Sequence, residues 1–116
     1  DPGIELFIGV PGQNKYVHLI VNTSNVQADW KFDHSLPEPL DKNVNFNWQS
    51  KVENSGGELV DFEIFIAWAE MQKMLQQPEI RSFAFNLGSS SLSLDWAGLS
   101  GSGFHAPANF GVINLE

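Results

Sequence analysis

Between Val26 and Glu53, apolar and polar residues alternate in two runs. In Val26–Asp33 the apolar residues are Val26, Ala28, Trp30 and Phe32, with Gln27, Asp29, Lys31 and Asp33 between them. In Val44–Glu53, Val44, Phe46, Trp48 and Val52 oppose Asn45, Asn47, Gln49, Lys51 and Glu53. Successive side chains of a strand point to opposite faces, so each run predicts a strand with one buried and one wet face. The connection His34–Asn43 carries Pro37 and Pro39, which keep it out of regular structure. It is too long for a tight hairpin. That fits two strands in different sheets, as in a sandwich.

The rest of the chain extends this pattern. Ile4–Val10 is a short apolar segment followed by the turn signal Pro11-Gly12-Gln13-Asn14. Tyr16–Asn22 predicts a strand with Val17, Leu19 and Val21 on one face and Tyr16, His18 and Ile20 on the other. Asn22-Thr23-Ser24 matches the glycosylation acceptor pattern and is read as a plain turn. Asn54-Ser55-Gly56-Gly57 is a hairpin signal, and Leu59–Ile66 a further strand. From Ala67 to Gln77 the period changes. Trp68, Met71, Met74 and Leu75 fall at helical spacing, and Pro78 closes the segment. Ile80–Leu87, Leu92–Trp96 and Phe110–Leu115 complete the strands, with Gly98–Gly103 as a loop.

The expected fold is therefore all-β: an antiparallel, jelly-roll-like β-sandwich of about eight strands, with one short helix near residues 67–77. All 116 residues are expected in one domain. The expected core is Val17, Leu19, Val21, Trp30, Phe32, Val44, Phe46, Trp48, Val60, Phe62, Ile64, Phe83, Phe85, Leu92, Leu94, Trp96, Phe110 and Val112.

Fourteen acidic residues against six basic ones give a formal charge of −8. The bases are scattered singly, which argues against nucleic acid and anionic membrane surfaces. No apolar run reaches the ~20 residues of a membrane helix. The lack of cysteine removes disulfides, thiolate metal sites and thiol nucleophiles. The opening Asp1-Pro2-Gly3 is expected of a processed mature chain or an excised domain. After Arg81 the only charges are Asp95 and Glu116. A polar, uncharged surface of this kind suits a neutral ligand such as a sugar, or a protein contact.

Catalytic chemistry is weakly signalled. His18, His34 and His105 are not at ligand spacing and read as surface or loop histidines. No Gly-x-Ser-x-Gly elbow occurs, and the glycines of Gly98–Gly103 lack the Lys-Ser/Thr ending of a phosphate loop. Asp29, Asp33, Asp61 and Glu63 on polar strand faces would need neighbouring strands to act as paired acids. Asn22, Asn25, Asp33, Asp41 and Asn43 offer oxygen ligands for calcium, but without an EF-hand loop; no cofactor is expected, with calcium the alternative. Alternation sends Trp30, Trp48 and Trp96 to the core.

The functional expectation is a non-catalytic, secreted or cell-surface binding module for carbohydrate or protein, lectin-like in kind. Its candidate ligand-binding residues are Tyr16, Asp29, Asp33, His34, Asn45, Asn47, Trp68, Phe104 and His105. One alternative is a self-associating assembly subunit, a homo-oligomer formed through the charge-poor C-terminal third or by strand-edge pairing of Ile4–Val10. The other is a small carboxylate-based hydrolase.

Overall fold

The computed structural model describes residues 2–54, 59–89, 94–95, 105 and 107–115, with the backbone alone at Leu94, Asp95 and Asn109. Nine strands form among the described residues: β1 (Gly3–Gly9), β2 (Lys15–Asn22), β3 (Gln27–Asp33), β4 (Leu40–Asp41), β5 (Gln49–Asn54), β6 (Val60–Phe65), β7 (Ser82–Ser89), β8 (Leu94–Asp95) and β9 (Gly111–Asn114). One helix, α1 (Trp68–Leu75), and a 3₁₀ turn at Pro107–Asn109 complete the order. The fold is all-β and sandwich-like. A seven-stranded antiparallel sheet runs β4-β3-β2-β1-β7-β8, with β9 pairing the start of β7, and β5 and β6 form a second, two-stranded sheet.

The layers are joined by apolar burial. Leu6 and Ile8 of β1 and Val17, Leu19 and Val21 of β2 point to one face of the large sheet. There they meet Trp48, Met71, Met74, Leu75 and Ile80, with Phe46, Val52, Phe62, Ile64, Phe83 and Phe85 packed around them. Each fully buried aliphatic side chain in such a layer contributes about 1.5–3 kcal/mol. Helix α1 supplies Met71, Met74 and Leu75 at the i, i+3, i+4 spacing of a single stripe. It ends where Gln76 turns left-handed (φ 54°) and its backbone N–H reaches the carbonyl of Lys73, two residues before Pro78.

The strand ladder explains the close approach at Gly3, which pairs with Asn22. A Cβ there would stand 2.5 Å from the Val21 carbonyl oxygen, so no larger residue fits without moving backbone. Gly12 takes the positive φ (80°) that the β1–β2 turn requires.

The short helix expected near residues 67–77 forms over Trp68–Leu75, and Trp68 at its start is 47% exposed. Several other expectations are corrected. The second alternating run begins its ladder only at Gln49. Residues 42–48 lack regular structure, and side chains take N–H groups there: the Asp29 carboxylate accepts from Phe46, and Glu70 Oε2 accepts from Asn47 at 2.6 Å. The connection His34–Asn43 contains a short strand after all, because Leu40 returns to pair with Phe32. Ile4–Val10 offers no open edge. Strand β1 has β2 on one side and β7 on the other.

Within the expected core, Val112 is 51% exposed, since β9 pairs only with the first half of β7 at the sheet margin. Trp30 and Phe32 are half-buried on the face opposite Val17, Leu19 and Val21. Leu92 and Trp96 lie outside the described residues, as does the side chain of Leu94.

Candidate functional site

The second face of the large sheet gathers groups that the sequence spreads far apart. In an antiparallel ladder, directly paired residues share a face. The pairing therefore lays Trp30, His18, Phe7 and Asn86 in one row across β3, β2, β1 and β7. The next row is Phe32, Tyr16, Gly9, Ala84 and Val112. Glu5 lies on the other side of the first row, paired with Ile20. His34 follows β3, and His105 precedes the 3₁₀ turn.

Phe7 is the floor of this face, with 0% exposure. The His18 ring stacks on it at 4.3 Å and 15°, and Phe110 tilts against it at 5.6 Å. The His105 ring stands edge-on to Phe7 at 5.1 Å, to His18 at 4.9 Å, and lies 4.6 Å from Phe32. The three histidines are thus one cluster, in which His34 and His105 are exposed loop residues, as expected, and His18 is not. His18 is 1% exposed, so its expected placement on a wet face is overturned. The sheet is covered on both sides at β2.

Hydrogen bonds fix the cluster. Tyr16 Oη lies 2.9 Å from His34 Nε2 and 2.7 Å from His105 Nδ1. Burial pushes the Tyr16 phenol well above its ordinary pKa, so it keeps its proton. It can donate to only one imidazole, and the other must donate to it. His18 Nε2 is 2.8 Å from Glu5 Oε1. An ionised carboxylate only accepts, so Nε2 carries the proton. His18 Nδ1 is buried with no hydrogen-bond partner among the described residues. Burial, then the neighbouring His18, lower the His105 pKa; Glu5 opposes this and His34 adds to it.

Glu5→Ala should leave both nitrogens of a buried imidazole unpaired, at a cost of about 1–3 kcal/mol. Urea denaturation near neutral pH measures it, and a loss within error would show that Glu5 does not hold His18.

Of the candidate residues named from sequence, Tyr16, His34 and His105 are brought together here. The others are not. Asp29 faces the opposite side and binds the Phe46 N–H. Asp33 closes its own turn by accepting from Ser35 N–H and hydroxyl, which holds its carboxyl below the usual range. Asn45 and Asn47 are exposed on the 42–48 segment, and Trp68 opens the helix. Phe104 lies outside the described residues. Sequence reasoning missed Glu5, Phe7, His18 and Asn86. The available signal was the tyrosine and histidine in alternate positions of β2, out of phase with its valines and leucine.

Among the described residues, larger clefts lie elsewhere. One of about 350 Å³ runs between Val10, Leu75, Ile80 and Ser82, with Glu79 and Arg81 also lining it, and holds none of the three histidines. We place the site by its chemistry rather than by cleft size, because the cleft offers one ion pair between highly exposed partners (Arg81–Glu79, 2.8 Å), worth little in water. Among the described residues, no group of three or more His, Asp or Glu side chains could hold a metal ion. No helix among them is long and apolar enough to cross a membrane. Comparison with protein-family models, curated proteins and solved structures found no match for this chain.

Proposed function

We propose that the chain is a non-catalytic, extracytoplasmic binding module whose ligand face is the histidine and aromatic side of the seven-stranded sheet. A carbohydrate is the ligand class that suits it. The observation that carries this reading is the meeting of Tyr16, His34 and His105 at one hydroxyl, beside the half-buried rings of Phe32 and Trp30. The half-buried aromatic rings offer apolar CH contacts, and the exposed imidazoles of His34 and His105 offer donors and acceptors, which is what a sugar ring needs. Lys42 lies over Trp30, with its ammonium 5.2 Å from the ring centroid, at the rim of the same face.

Glu53 is not set up as a general acid. Glu53 pairs with Asp61, and Lys51 with Glu63, across β5 and β6. All four are exposed, and Lys51 holds the Glu53 carboxyl below its ordinary range through a 2.8 Å ion pair. A general acid needs the opposite shift.

A glycan array followed by calorimetry tests the proposal. Binding of at least one glycan is expected, weakened about tenfold or more by His34→Ala, a loss on the order of 1.4 kcal/mol. Folded protein that binds no glycan would sink the carbohydrate reading. Binding indifferent to His34→Ala would move the site to another surface.

A further inference from the structure

We propose that the histidine cluster is a proton-operated switch, in which the second proton taken up by His34 and His105 detaches His105 from Tyr16 and uncovers the aromatic face. The inference uses the same face as the proposed binding site but is read without any ligand. Failure to bind glycans and failure to switch are therefore separate results.

The geometry sets a limit on protons. With both imidazoles neutral, one donates its N–H to Tyr16 Oη, and Oη donates to the lone pair of the other. One added proton is tolerated: the charged ring donates to Oη, and Oη still donates to the neutral ring. With two added protons both rings can only donate, and the phenol proton loses its acceptor. Two cations would then share one oxygen.

The surroundings relieve them only in part, because Glu5 favours a charged His105 while His18 opposes it. From β1, the facing charge is the Glu5 carboxylate, already bonded to His18. From β2 come Tyr16 and His18, whose ring centroid is 4.9 Å from that of His105. From β7 comes Asn86, which is neutral. Lys42 sits over Trp30, itself against His18, and adds positive charge. Phe7, Phe32 and Phe110 line the inner side with apolar rings, while His34 and His105 are exposed on their outer sides. Two like charges held at one oxygen over an apolar floor are costly, and separating them lowers the cost.

The sign follows from the His105 environment. Its attached form binds a proton less readily than a free imidazole, because burial and His18 lower its pKa. Attachment is therefore fully favoured above the free value of about 6.5. It is lost progressively as pH falls from there through the lowered value.

Two-dimensional NMR from about pH 7.5 to about pH 5 spans this histidine range and reads the switch directly. His105 should titrate below the free imidazole range, and its ring resonances should report the detachment. Amide protection at residues 108–110, corrected for intrinsic exchange, should fall about tenfold or more over the same range while the central strands stay protected. Tyr16→Phe keeps the ring and removes the bridge, so release should begin at higher pH. His105→Gln should abolish the transition. Unchanged protection, or a transition that persists in His105→Gln, would overturn the switch. If His105→Gln does not fold, Tyr16→Phe decides: a loss of protection at residues 108–110 that begins at the same pH as in the unsubstituted chain overturns it equally.

Discussion

Phe7→Ala is expected to lower the unfolding free energy by about 3–5 kcal/mol, the usual cost of emptying a buried aromatic site. Phe7 has 0% exposure and sits on the central strand, held between β2 and β7. Its ring touches Tyr16, His18, His105 and Phe110. Aromatic pairs of this kind contribute about 0.5–1.5 kcal/mol each beyond their buried area. The melting temperature should fall by on the order of 10–25 °C. The variant should also change the histidine titrations, since it removes the floor on which His18 is stacked. Chemical denaturation and imidazole NMR check the two parts. A loss under about 1 kcal/mol, as is typical of exposed positions, would mean that the face is far looser than described.

Trp48→Ala should cost a similar amount, about 3–5 kcal/mol, but for a different reason and with a different signature. Trp48 is the buried anchor of the unladdered segment 42–48, packed in the cluster that includes Met71, Met74 and Leu75. Its own carbonyl accepts a long bond, 3.5 Å, from Gln27 Nε2. Losing the ring removes what seats the second layer on the sheet. The histidines lie on the opposite face, so their titration should be preserved. Denaturation curves give the cost, and amide exchange across β5 and β6 shows where it falls. A histidine titration altered as much as in Phe7→Ala would refute the separation of the two faces.

The contrast between these residues shows what the sequence could and could not disclose. Trp48 belongs to a run whose alternation was sound, and the run did bury it. Alternation in β3 was equally sound, but its sense was reversed. Gln27 and Asp29 face the second layer, where they bond the carbonyl of Trp48, the hydroxyl of Ser50 and the N–H of Phe46. Polar side chains stand toward the covered side because the chain crossing them has free backbone groups. Trp30 and Phe32 are thereby turned toward the histidines.

The period change at α1 and the hairpin pairing of β5 with β6 were legible because both are local. The site was not. Tyr16 meets His34 across 18 positions and His105 across 89, and only strand order brings them together. Counting Tyr16 and His18 as the wet side of β2 failed because Phe7, Phe32, Phe110 and His105 cover them.

The central place of β1 has a consequence in time. Its partner on one side, β2, follows almost at once, but Gly9 pairs on the other side with Ala84. At roughly 5–20 residues per second of synthesis, β1 waits several seconds for β7. Through that interval its second edge carries free N–H and C=O groups beside Leu6, Phe7 and Ile8, which are the features that recruit a stranger's strand. The nascent chain is most exposed to misassembly at the strand that ends up best protected.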